Sequence, residues 1–533
     1  MALDLIRKWS CLSVGLACCL LLTIFAAGCG SGRKKIEITT SSELAEAYFV
    51  KGVELVESFR TKEACRYFEK AVAEDPDFAL AYLFLATSQP SRKEIYENIG
   101  IAEELSRPKE VENQQRPSSG LGLTITLPTA VSPEYLQEAT RRVDRVSKGE
   151  RLWILGVAAT FAGKSAEHFE CFRELAAAYP YDERARRMLG DYYFGTNQYQ
   201  LAIQEYVAAT DINPQYAVAY NMLGYTLRES GDLAGAERAF LKYIELAPDQ
   251  PNPYDSYADL LLGMGRHEES IEYYRKALAR DSMFAFSRVG IAANLNLLGR
   301  HAEAREYLHA ASDSGLTFMQ RRSLLWGIVI SYVDEGDLES ALAAAEKTSR
   351  FSASSGSTIE TVSDMNLVGQ VLLEMGRLDE ARAKFEEGLR LVEESAIPPD
   401  VRTWARALTA LRVGCRIALK ENNVTAARKS IEEFAASVDT TGNPSLRWLL
   451  NHYSGLVALE EGDFARAVSE LDQGMANDPA THFLLGRAHE KLGDREKAAE
   501  CYKKATEANL VNDLGYTLIR RKAAGALRSL SET

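Results

Sequence analysis

The residues in this sequence best suited to chemistry occur in groupings that fall short of a catalytic or metal-binding pattern. Gly156-Val-Ala-Ala-Thr-Phe-Ala-Gly163-Lys164-Ser165 holds the ingredients of a phosphate cradle: glycines, a lysine and a hydroxyl. A phosphate loop needs four residues between its glycines, so that successive backbone amides converge on one oxygen cluster. Here six intervene and Ala158 stands where the first glycine belongs, so no nucleotide is expected. The seven histidines form no His-Glu-x-x-His pair and no Cys/His cluster of the kind that holds zinc. His482 and His489 are separated by two helical turns, too far to share an ion without a third ligand. Carboxylate pairs such as Glu268-Glu269 have ordinary helix-surface spacing, and no nucleophile elbow occurs. The sequence therefore reads as a non-enzyme with no cofactor and no metal.

What must position any functional residue is a repeated element. Aligned at a spacing of 34 residues, Leu189-Gly190 falls on Leu223-Gly224, Ala202 on Ala236, Tyr206 on Phe240 and Pro214 on Pro248. Within one unit, Tyr220, Leu223 and Leu227 recur at helical steps and make one apolar face. Gly224 and Ala236 are small where two helices must cross closely, and Phe240 fills the space they leave. Ser230-Gly231-Asp232 supplies the turn, and Pro248 ends the second helix because it lacks an amide donor. One such unit cannot bury its own face, so stability comes from stacking on neighbours.

The pattern covers most of the chain. A first unit begins at Ala45 and a second at Ala79, whose second helix is expected at about 92–105. A loop insertion over 107–132, with a β-like Leu123–Leu127, interrupts the array. Pro133 opens a helix, and unbroken steps start at 149, 183, 217, 251 and 285. Looser copies carry Gly336-Asp337, Gly376-Arg377, Gly462-Asp463 and Gly493-Asp494 at their turns, with a weaker one over 422–427. The expected organisation is a tether at 29–43, repeats at 44–106, the insertion, and a main array at 133–348. A Ser-rich break at 349–361, a rear array at 362–510 and a capping helix and tail at 511–533 complete it.

Period and column order resemble the tetratricopeptide repeat, which implies an all-α, right-handed superhelical solenoid that binds partners in its concave groove. In that family, columns 2, 5, 9, 12 and 13 of the first helix face the groove. Here they supply Arg187, Asp191, Asn221, Tyr225, Arg228, Asn252, Asp255 and Asp259 as candidate contacts, with Asn296 a further amide. The Lys/Asn set with which some relatives clamp a peptide carboxylate is missing, since the corresponding columns hold Arg187, Asp191, Met222, Asn252 and Ser256. An acidic middle favours a basic or extended partner segment. Residues 134–316 also resemble the repeats attached to bacterial serine/threonine kinases, through Arg151-Leu-Trp-Ile-Leu-Gly156, Tyr179-Pro180 and Asp281. Those families carry a catalytic domain ahead of the repeats; here a segment resembling a lipoprotein signal stands there, so their catalysis is not carried over.

What precedes the repeats is a targeting segment. Arg7 and Lys8 lead into an apolar run, Cys11–Ala27, followed by Gly28-Cys29. This resembles a bacterial lipoprotein signal, a signal peptide over 1–28 with Cys29 acylated by palmitate-type chains, although Ala26 replaces the usual leucine. The alternative is an uncleaved anchor, for which the run is at the lower length limit. Gly30 after the cysteine implies the outer membrane, with the protein facing the periplasm. A net charge of −13 argues against a nucleic-acid surface. Cys65, Cys171, Cys415 and Cys501 lie in non-neighbouring units and are expected to stay unpaired, as small buried hydrophobes. The layout is similar to envelope lipoproteins that assist assembly, which implies a membrane-anchored scaffold for envelope proteins. A cell-wall or exopolysaccharide-binding module, using aromatics such as Tyr225, is the alternative.

Overall fold

A computed structural model describes residues 34–57, 60–88, 132–162, 164–309, 316–395, 399–441, 444–474, 478–509 and 513–532. The signal peptide, Cys29, the helix expected at 92–105 and Leu123–Leu127 lie outside these residues. Among the described residues all regular structure is helical, arranged as consecutive antiparallel pairs followed by the closing helix Leu514–Glu532. No described helix is long and apolar enough to cross a membrane.

The repeat columns do what their side-chain sizes dictate. A Cβ on Gly224 would lie 2.7 Å from the Phe240 ring, one on Gly190 2.7 Å from Tyr206, and one on Gly486 2.5 Å from Tyr502. Each glycine precedes its aromatic by 16 residues, the separation that brings the middle of the first helix onto the middle of the second. The turns obey an equally simple rule. Gly231 and Gly336 have φ of +89° and +94°, and Asn197 and Asn422 take the same left-handed role at +59°. The aspartate that follows then caps the second helix: Asp232 accepts from Gly235 N at 2.8 Å and Asp337 from Ser340 N at 3.0 Å.

Three features differ from the sequence expectations. The helix Pro133–Thr140 packs beside Ala79–Ser88, and Ser132 N donates to Ala86 O at 3.0 Å. It completes the second unit, so the array continues across the insertion instead of restarting at 133. The tether expected over 29–43 is held in place from 34 onward. Ile36 is buried against Gly149 and Tyr179, and its amide donates to Asp182 at 2.8 Å. Thr39 N donates to Glu150 at 2.8 Å and Ser41 N to Asp75 at 2.7 Å. Asp75 caps the C-terminus of Thr61–Glu74, Glu150 lies in the first turn of Lys148–Phe161 and Asp182 caps the start of Glu183–Gly195, so three carboxylates from separate helices accept from one extended strip of backbone amides.

The Ser-rich break at 349–361 is likewise absent. Leu338–Ser354 runs through most of it and Thr358–Glu374 follows after three residues. Its serines are structural: buried Ser352 donates to Asp364 at 2.5 Å. Arg322 grips the same fully buried carboxylate from the preceding unit, with contacts of 2.6 to 3.1 Å. Trp326 Nε1 adds a fourth donor at 2.5 Å. Four donors around one aspartate join the units where separate arrays were expected. Of the four cysteines expected to be buried, Cys65 and Cys415 are, and burial pushes their thiols up to about 11 and about 12, whereas Cys171 and Cys501 are only half-buried.

Candidate functional site

Three consecutive first helices, Glu183–Gly195, Ala217–Glu229 and Asn252–Gly263, carry all eight candidate contacts. The row they form is less open than a solvated groove. Asn221, Tyr225, Asn252, Asp255 and Asp259 are all buried, at 3 to 7% exposure. On the third helix every residue from Asn252 to Leu262 is buried. The superhelix curls tightly: Glu57, at the end of the first described helix, lies within electrostatic reach of Arg187, and Arg60 within reach of Asp281. Arg187 and Asp191 still meet solvent with about a quarter of their side-chain surface, 25% and 29%.

Most of these side chains are engaged with one another. Arg187 Nη1 pairs with Asp191 at 2.5 Å and its Nε donates to Tyr216 Oη at 3.0 Å. Tyr206 Oη donates to the other Asp191 oxygen at 2.8 Å. Asn252 donates to Tyr243 Oη at 3.1 Å. Tyr225 donates to Ser256 Oγ at 3.0 Å, with its ring edge-on to Phe240 and the Arg228 guanidinium 5.0 Å from the ring centre. A ring enclosed in this way has no free face for stacking on a sugar, so the expected glycan contact at Tyr225 does not form. Two polar atoms remain buried without a partner, Asn221 Oδ1 and Arg228 Nη1.

The acidic pair is the feature that packing does not explain. Asp255 and Asp259 share one helix face, four residues apart. Asp255 accepts from Ser287 Oγ at 2.5 Å, and Asp259 accepts from Tyr274 Oη. Among the described residues neither forms an ion pair. Burial, aggravated by the charge of Asp259, holds the Asp255 carboxyl well above the usual range, and the Ser287 hydroxyl only partly offsets this. Asp259 is raised by burial as well, opposed by the Tyr274 hydrogen bond and the nearby charge of Arg228. Unpaired buried carboxylates are costly, and such perturbed groups cluster at functional sites.

The sequence reading missed the partners: Tyr206, Tyr216, Ser287 and Tyr274. A signal for two of them was present. Tyr206 and Tyr274 occupy the large column, and each reaches the aspartate 15 residues earlier; where that column holds Phe240, the earlier residue is Tyr225. The positions behind the kinase-associated resemblance prove to be packing: Leu152, Trp153, Ile154 and Tyr179 are buried, and Gly156 makes room for Phe172. No group of three or more His, Cys, Asp and Glu suited to a metal occurs among the described residues.

Helical pairs, glycine–aromatic crossings and left-handed turns together define an all-α solenoid of tetratricopeptide repeats. Tetratricopeptide-repeat models match residues 45–78, 161–217, 187–251, 252–282 and 479–509. No curated protein matches the chain. Similar solved structures include MamA, at 20% identity over 31% of this chain and 90% of that one, with a TM-score of 0.28. A tetratricopeptide repeat protein from Parabacteroides merdae gives 16% identity, 49% and 98% coverage and a TM-score of 0.36. YrrB, described as a TPR protein with an unusual peptide-binding site, gives 15% identity, 34% and 91% coverage and 0.26.

Proposed function

We propose that this chain is a non-catalytic binding scaffold of a bacterial cell envelope. It is held to a membrane, the outer one facing the periplasm, by lipid on Cys29, and it seats a basic segment of a partner protein along the row 187–259. The observation that carries this reading is the Asp255–Asp259 pair, buried at 5% and 7% exposure with hydroxyl donors and, among the described residues, no ion pair. An incoming ammonium or guanidinium would neutralise charge that the hydroxyl donors and the nearby Arg228 offset only in part. Asn221 Oδ1 and Arg228 Nη1 on the neighbouring helix are likewise buried and unpaired.

The test uses the full chain in detergent and extended peptides bearing either Lys/Arg or Asp/Glu. Basic peptides should bind, and Asp255→Asn combined with Asp259→Asn should weaken them about ten-fold or more, the scale of a lost close charge pair. Equal binding by the double variant would remove the charge claim. The anchor is tested separately. Cys29→Ala should abolish palmitate labelling in cells, and labelling that persists would refute acylation at that residue.

A further inference from the structure

The C-terminal helix Leu514–Glu532 does more than cap the last repeat. One of its faces does what a cap does: Ala523 is fully buried with Ala498, Tyr502 and Ala505, and Ile519, Ala526, Leu527 and Leu530 pack beside them. The opposite face lies on first helices about 150 to 190 residues earlier in the chain. Leu514 and Leu518 join the core formed by Val329, Ile330, Val333 and Val371. Arg520 forms a two-pronged ion pair with Asp334, at 2.5 and 2.6 Å, where the carboxylate is 3% exposed. Lys522 meets Glu374, 10% exposed, at 2.8 Å. Arg521 donates to Val333 O at 3.1 Å and packs on left-handed Gly336, placing a cation at the negative end of the helix Phe318–Glu335. Beneath Tyr516, Thr517 and Arg520 a cavity of only about 20 Å³ remains against Ala292, Asn296, Gly327 and Ile330, so the fit is close.

We propose that the first-helix row of 285–374 is a second binding groove, adjoining the row at 187–259. Its ligand is a basic amphipathic helix, and the chain's own C-terminal helix is its resident, displaceable occupant. Three observations support this. The contacts follow the helix-in-groove mode, with apolar anchors at Leu514 and Leu518 and cations one turn on. The acidic sockets Asp334 and Glu374 sit on different repeats, so repeat packing alone does not require the Arg520 and Lys522 contacts. Beside the helix a cleft of about 510 Å³, lined by Leu338, Glu374, Leu518 and Arg528, leaves one flank open to an incoming competitor. A partner helix with two leucines four residues apart, followed by an Arg-Arg-Lys run, would make the same contacts.

The test uses the full chain with Arg520→Glu and Lys522→Glu, and a labelled synthetic peptide of residues 513–533. Amide exchange over 327–336 should rise several-fold in the double variant and return toward wild type with saturating peptide. The peptide should bind the variant at least ten-fold tighter than wild type, whose groove is filled, and a peptide carrying the same two reversals should not bind. Unchanged exchange, or equal peptide affinity for both proteins, overturns the proposal. Should the variant fail to fold, carbodiimide treatment of the wild-type chain decides. A Lys522–Glu374 crosslink within the monomer supports the resident helix, its absence refutes it, and a crosslink found only in dimers assigns the groove to a second copy and refutes occupancy in cis.

Discussion

Tyr274 and Asp259 show how one side chain can be both structural and functional. The tyrosine fills the space at a helix crossing, and its buried hydroxyl needs an acceptor that an aliphatic residue could not supply. Asp259 meets that need, and in doing so a charge is placed four residues from Asp255. Asp255 does the same for the buried Ser287 hydroxyl, and the repulsion between the two carboxyls remains. The pair has a signature in acid. A carboxyl whose folded pKa is raised binds its proton more tightly folded than unfolded. Stability then falls as pH rises from the ordinary carboxylate value of about 3.9 through the raised folded value, and it stays low above that. Asp255→Asn retains an oxygen for Ser287 and removes the charge. It should flatten this dependence and stabilise the protein at neutral pH by on the order of 1 kcal/mol, the scale of most single substitutions. Thermal unfolding as a function of pH checks it; a variant less stable than wild type at pH 7 with the same slope would contradict it.

Among the elements, what was legible is what repeats. Glycine at the crossing, aspartate after the turn and proline after the second helix each answer a local requirement, so each recurs and can be read from one chain. Gly224→Ala puts a methyl within 2.7 Å of Phe240, a ring already buried on every side. It should cost about 1–3 kcal/mol by overpacking. Denaturant unfolding measures this, and Gly263→Ala, where a Cβ would meet nothing within 4 Å, is the control. The illegible elements are those whose partners lie far away in sequence. The serines of 349–358 resemble a linker by composition, yet Ser352 sits in a helix because Asp364, brought there by the next unit, accepts its proton. Residues 34–42 resemble a tether because their acceptors, Asp75, Glu150 and Asp182, come from three different helices. The short segment over 411–417 is π-helical, with Gly414 closely facing Ser430, and nothing in the hydrophobic period marks it.

At the scale of the whole molecule, curvature decides what the candidate residues can do. The columns that face the concave side were legible from the repeat, but how tightly the superhelix closes was not, because closure sums small rotations over many units. Along this row Tyr225 is enclosed by Phe240, Ser256 and Arg228, and the acidic pair is buried beside it. Closure also brings both ends of the described chain back onto the array, Ile36 at the front and Arg520 at the rear. On the proposed function, this row receives a basic protein segment. The most direct measurement places a photocrosslinking amino acid at Val218, a partly buried first-helix position in the row, and another at exposed Leu241 on the second helix of the same unit. Crosslinking in intact cells, followed by peptide mapping, should join Val218 to a Lys- or Arg-bearing segment of another protein and leave Leu241 without that product. The same product from both positions, or a Val218 product lacking cationic residues, would contradict the account.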